Sequence, residues 1–139
     1  MIKRLFYPKH IEHSLRIVRE FQKTYPSLII GGSVALYLHG VRLKRFKRWD
    51  GDLDFINEDP IEIDMDVSKE LPSNCDFQVQ GMFKTKKIDL RIDPLSTYEK
   101  IKYKGYTYTV NAVEDILFAK CRYRRSKDID DIREMLKIN

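Results

Sequence analysis

Residues 28–55, LIIGGSVALYLHGVRLKRFKRWDGDLDF, decide the fold class. Leu28-Ile29-Ile30 is an apolar run short enough for a buried strand, and Gly31-Gly32-Ser33 interrupts it with a tight turn. Val34 to His39 has helical spacing and stops at Gly40. Val41 to Trp49 follows with five basic residues, Arg42, Lys44, Arg45, Lys47 and Arg48, interleaved with Phe46 and Trp49. It reads as an exposed loop or hairpin arm. Asp52 to Ile56 alternates acidic and apolar side chains before Ile56, which predicts a second strand.

Working outward, His10 to Tyr25 places Ile11, Leu15, Val18 and Phe21 three to four residues apart, and Pro26 supplies the stop. An amphipathic helix is expected. In the acidic stretch 57–76, Ile61, Ile63 and Met65 alternate with acids as an edge strand would. Phe77 to Phe83 and Lys87 to Ile92 alternate well enough to pair antiparallel, and Tyr103 to Val110 around Gly105 suggests a further hairpin. Asn111 and Glu114 form an N-x-x-E start for a helix from Val113 to Arg122, and Ser126 can cap a last helix through Leu136. The expected architecture is α+β: a mixed, mostly antiparallel sheet with flanking and C-terminal helices, one domain over residues 1–139.

Composition agrees with a compact domain. Of 139 residues, 42% are hydrophobic and 34% charged, which supports a core and excludes a membrane-embedded chain. No apolar run approaches the ~18 residues of a membrane span and no signal peptide is recognisable, so a cytoplasmic protein is expected. Cys75 and Cys121 lack metal or disulfide spacing and are expected as free thiols. Charge is uneven: residues 1–49 hold 11 basic and 2 acidic side chains, residues 50–82 hold 1 and 10, and residues 83–139 hold 14 and 9. Basic flanks around an acidic centre suit a polyanion together with a divalent cation.

The acids that matter are Asp52, Asp54 and Asp89. In a strand Asp52 and Asp54 share one face while Leu53 and Phe55 enter the core on the other. Asp89, between Ile88 and Leu90, repeats that logic in a predicted neighbouring strand. Three converging carboxylates repel one another unless a cation compensates them, and Mg²⁺ favours a few carboxylate oxygens plus phosphate oxygens. The Gly31-Gly32-Ser33 turn before a helix can approach a phosphate closely. His10, His13 and His39 lack a ligand set and read as surface or helix-end residues, while Tyr103, Tyr106 and Tyr108 read as strand packing.

The run GGSVALYLHGVR followed by RWDGDLDF resembles the signature of the nucleotidyltransferase superfamily, with its polymerase beta-like fold. Within it the chain is most similar to AbiEii-like and MenT-like toxin nucleotidyltransferases, which also carry a late basic-Asp-x-x-Asp helix. Here that helix would hold Lys127, Asp128 and Asp131, with Lys120 upstream. The resemblance implies that Asp52, Asp54 and Asp89 are catalytic and bind Mg²⁺, two ions in all, with Asp89 serving or orienting the general base. It implies nucleotide binding by Gly31, Gly32, Ser33, Arg48, Lys120, Lys127 and Asp128. Asp50 departs from the pattern, standing where such proteins have Ser or Thr and adding negative charge beside the nucleotide site.

The implied reaction moves a nucleoside monophosphate from an NTP to a hydroxyl, with pyrophosphate released. The implied acceptor is RNA, a tRNA 3′ end in particular, and the implied setting is a toxin–antitoxin or phage-defence pair with a cognate antitoxin. Arg42, Lys44, Arg45 and Lys47 would contact RNA phosphates while Phe46 and Trp49 stack on unpaired bases. Two alternatives stand beside it: an enzyme that nucleotidylates a protein acceptor, and a degenerate domain that binds nucleotide or RNA without turnover.

Overall fold

The computed structural model describes residues 9–72 and 77–138. They form α1 (Lys9–Thr24), β1 (Ile29–Ile30), α2 (Gly32–Leu38), β2 (Leu53–Asn57), β3 (Asp66–Pro72), β4 (Phe77–Phe83), β5 (Lys86–Ile92), β6 (Tyr98–Tyr103), β7 (Tyr106–Asn111), α3 (Val113–Tyr123) and α4 (Ser126–Met135). The fold is α+β, and the strands join one mixed sheet in the order β3-β4-β5-β2-β1-β7-β6. Two contacts are parallel, β1 with β7 and β2 with β5, and the other four are antiparallel. Short turns make the hairpins cheap to close: Lys104 and Gly105 sit at φ 48° and 82°, the left-handed pair that matches strand twist.

The core forms where α1 and α2 cover the apolar face of the sheet. Ile11, Leu15, Val18 and Phe21 of α1 are buried with Leu53 and Phe55 of β2, and the Phe21 and Phe55 rings lie 5.2 Å apart. Gln22 fastens α1 to the sheet, donating to Leu28 O at 3.1 Å and Thr109 O at 2.8 Å and accepting from Thr109 N. Each of these bonds is buried, so each group would be left costly and unpaired if Gln22 were removed.

The expected exposed arm at Val41 to Trp49 is instead part of the core. A short 3₁₀ turn at Lys44–Arg48 rolls Val41, Leu43, Phe46 and Trp49 inward. The Trp49 indole donates to Ser14 Oγ at 2.9 Å, and Phe46 meets Tyr37 edge-on at 5.2 Å. Phe46 and Trp49 are therefore not available to stack on bases. The apolar spacing 41, 43, 46, 49 held this information, hidden among five cations.

Smaller corrections concern element ends. Ile61, Ile63 and Met65 form no strand, although they lean on the core half-buried. Ala112, not Asn111, caps α3; the Asn111 amide donates to Thr97 O and Asp115 Oδ2. Arg125 rather than Ser126 occupies the cap position of α4, and its backbone N–H donates to Asp128 Oδ2 at 3.1 Å. Cys121 is free and exposed, whereas Cys75 lies outside the described residues. No helix of the described residues is long and apolar enough to cross a membrane.

Candidate active site

β2 and β5 run side by side in parallel, with Leu53 opposite Ile88, Asp54 opposite Asp89 and Phe55 opposite Leu90. Leu53, Phe55, Ile88 and Leu90 are all at most 2% exposed, so the alternation turns Asp54 and Asp89 onto the other face together. The two carboxylates thus stand at paired positions of neighbouring strands. Burial first, then the negative charges of Asp89 and Asp52, pushes the Asp54 pKa up to about 7. Asp52 also lies above the usual carboxylate range through burial; Lys87 and Lys86 pull it back and Asp89 adds to the rise.

The turn at Gly31-Gly32 is built around Asp54. Gly31 N donates to Asp54 O at 2.7 Å, which anchors the end of β1 to β2. Gly32 has φ +60°, and a Cβ there would stand 2.1 Å from Asp54 Oδ2. Only glycine leaves room for that carboxylate at this backbone angle.

Among the described residues no three His, Cys, Asp or Glu side chains form a group able to hold a metal ion alone. The donor set is the Asp54–Asp89 pair with Asp52 close enough to share its field. Two acids held at paired positions on one face fit a hard divalent cation, provided phosphate and water supply its remaining oxygens.

Asp54 lines two cavities, and the residues expected to bind nucleotide divide between them. Ser33, Arg48 and Lys127 line a cavity of about 420 Å³ with Asp50 and Asp52. Gly31, Gly32, Lys120 and Asp128 line a wider one of about 730 Å³ with Asp89. Asp50 is exposed and Arg48 is exposed, so the smaller cavity offers one additional acid beside its cations.

The late acids do something the sequence reading did not anticipate. Asp131, 1% exposed, accepts from Arg45 Nη1 at 2.7 Å, Arg45 Nη2 at 2.8 Å and Lys120 Nζ at 2.8 Å. Asp128, fully buried, accepts from Arg125 Nε at 2.8 Å and pairs with Lys120 at 3.7 Å. Arg125 holds Asp128 below the usual range. Burial alone would raise Asp131, but Arg45 and Lys120 outweigh it and the net shift is downward. Asp128 and Lys120 thus pair with each other and with their neighbours while both line the wider cavity.

The expected RNA contacts divide similarly. Arg42 stacks 4.2 Å over Tyr37 and donates to Tyr37 O, and Arg45 is clamped to Asp131 while also reaching Ser33 Oγ at 2.8 Å. Both cations are thereby fixed in place by the chain itself. Lys44 and Lys47 are exposed. Sequence reasoning missed Lys87 and Arg91, although the pattern KKIDLRI puts both on the same strand face as Asp89. Comparison with protein-family models, curated proteins and solved structures finds no match for the chain.

Proposed function

We propose that the chain is a metal-dependent nucleotidyltransferase that moves a nucleoside monophosphate from an NTP to a hydroxyl, with RNA, a tRNA 3′ end in particular, as the acceptor and with a toxin role held in check by an antitoxin. The observation that carries the chemistry is the Asp54–Asp89 pair, level with each other on parallel strands, beside Gly32, whose positive φ and close approach to Asp54 both require glycine. An acid pushed up to about 7 opposes folding at neutral pH, and such placements gather at functional sites. The acceptor and the toxin role rest on the sequence resemblance.

Asp52, Asp54 and Asp89 would hold Mg²⁺, which when bound neutralises the phosphate oxygens and the leaving pyrophosphate. The chain's own groups do the rest. Ser33, Arg48 and Lys127 line the smaller cavity and suit a triphosphate; Arg45 orients the Ser33 hydroxyl from its seat on Asp131. Asp89, which faces the wider cavity, accepts the proton of the attacking hydroxyl. The new bond joins the acceptor oxygen to the α-phosphorus, and the bond to the β-phosphate oxygen breaks.

Asp50 favours a second reading, a binding domain without turnover, because its charge lines the smaller cavity. Pyrophosphate release separates the two. Each NTP is incubated with the protein, Mg²⁺ and cellular RNA; release that vanishes in Asp54→Asn supports transfer, whereas NTP binding without release supports the binding-only domain.

A further inference from the structure

The described residues expose seven large apolar side chains, and three of them, Leu95, Phe118 and Tyr123, line the wider cavity that also holds Asp54 and Asp89. Phe118 is 70% exposed and Tyr123 67%, although both belong to α3, a helix that has a buried face at Ile116. Arg122, one turn beyond Phe118, lines the cavity beside them.

The segment that contains Tyr123 is strongly basic. Residues 120–127 read KCRYRRSK, with five cations and no acid. Arg124 takes the left-handed conformation at φ 51° and its N–H returns to Lys120 O, so the chain turns sharply from α3 into α4. The Arg125 guanidinium lies 5.7 Å over the Tyr123 ring. Asp128 and Asp115, acids of the same cavity, are engaged, Asp128 by Arg125 and Asp115 by Thr97 at 2.8 Å. Arg91, also in this wall, pairs through Nη2 with Asp93 of the same cavity at 3.7 Å, and its buried Nε has no hydrogen-bond acceptor.

From this placement we infer that the α3–α4 corner is the docking surface for single-stranded nucleic acid, with unpaired bases stacked on Phe118 and Tyr123 and phosphates held by Arg122. The inference rests on the transfer reading and specifies where its acceptor binds. Exposed flat rings offer nothing to a duplex, whose bases are already stacked, but they accept the face of any unpaired base. An acidic peptide would satisfy the cations and leave the rings uncovered. A strand seated here places its terminal hydroxyl in the cavity of Asp89, across Asp54 from Ser33. The surface is thus on α3, not at residues 41–49, whose aromatics are buried.

The test is fluorescence anisotropy of a labelled single-stranded RNA 12-mer and of the same 12-mer in duplex, scored beside the thermal shift that Mg²⁺·NTP produces. Wild type is expected to bind the single strand more tightly than the duplex. Phe118→Ala with Tyr123→Ala should weaken single-strand binding roughly tenfold or more, and Arg122→Ala should flatten the dependence on salt. Lys23→Ala with Lys102→Ala, exposed cations that line neither cavity, should change RNA affinity less than about twofold. All three variants change exposed side chains, and a native melting transition verifies their folding. Unchanged RNA affinity in the aromatic variant overturns the inference. Wild type that shows the NTP shift but binds no RNA also overturns it and redirects the acceptor to protein. Absence of both RNA binding and the NTP shift defeats the transfer reading itself.

Discussion

Asp131 and Arg45, 86 residues apart in sequence, meet in a two-pronged ion pair with N–O distances of 2.7 and 2.8 Å. Asp131 is almost fully buried and Arg45 is 30% exposed, and Lys120 adds a third bond from α3. One carboxylate of α4 therefore ties together α3, the turn at residues 44–48 and, through Ser33, the start of α2.

Removing that carboxylate leaves Arg45 without its acid and Lys120 with only the longer contact to Asp128 at 3.7 Å. Asp131→Ala should lower stability by on the order of 3 kcal/mol, read as a fall in the urea midpoint with little change in slope. Asp131→Asn should cost less because its amide oxygen still accepts one bond. Equal stability for Asp131→Ala and wild type would show that the clamp contributes nothing.

Phe46→Ala separates the core reading of residues 41–49 from the loop reading. With Phe46 3% exposed and packed on Tyr37 and Trp49, truncation should cost roughly 3 kcal/mol. A surface loop would lose almost nothing. The measurement is again the urea midpoint.

Opposite shifts give opposite pH dependences. Asp128 and Asp131 are held below the usual carboxylate range, so their contribution is present above about pH 4 and is lost as pH falls further through their lowered values. Asp54 is raised to about 7, so between about pH 4 and 7 the folded state binds the proton and the unfolded state does not. Stability should therefore fall as pH rises through that window, by on the order of 3 kcal/mol for the one group. Urea midpoints from pH 5 to 8 should decline in wild type and stay nearly level in Asp54→Asn. A level wild-type profile would mean that Asp54 ionises normally.

Glycine position distinguishes fold from site. Gly32→Ala drives a methyl group against Asp54 Oδ2 and should lower nucleotide transfer by roughly 100-fold. Gly40→Ala, at φ +94° with open space around it, should cost only about 1 kcal/mol of backbone strain and leave transfer nearly intact. Initial rates and melting temperatures of the two variants make the comparison.

These residues also show what the sequence made legible. The alternation around Asp54 and Asp89 carried both the strand assignments and the shared face, because a period of two leaves little freedom once Leu53, Phe55, Ile88 and Leu90 must be buried. That β5, the expected neighbour of β2, would run parallel to it with Asp54 level with Asp89 was not readable, since direction and register depend on how β1 and β4 flank them. Residues 41–49 misled because five cations outweighed an irregular apolar spacing. The late acids misled for a different reason: Asp131 looks like a solvent or ligand group until Arg45, distant in sequence, reaches it, and Asp128 until Lys120 and Arg125 enclose it.

The most direct test of the proposed chemistry uses each α-labelled NTP with Mg²⁺ and total cellular RNA, comparing wild type with the Asp52→Ala, Asp54→Ala double variant after both are verified as folded. Label entering a tRNA-sized RNA band with one NTP, and absent with the variant, is the expected result. Wild type that leaves both RNA and protein unlabelled, or a double variant that labels RNA as well as wild type does, would contradict nucleotidyl transfer by these carboxylates.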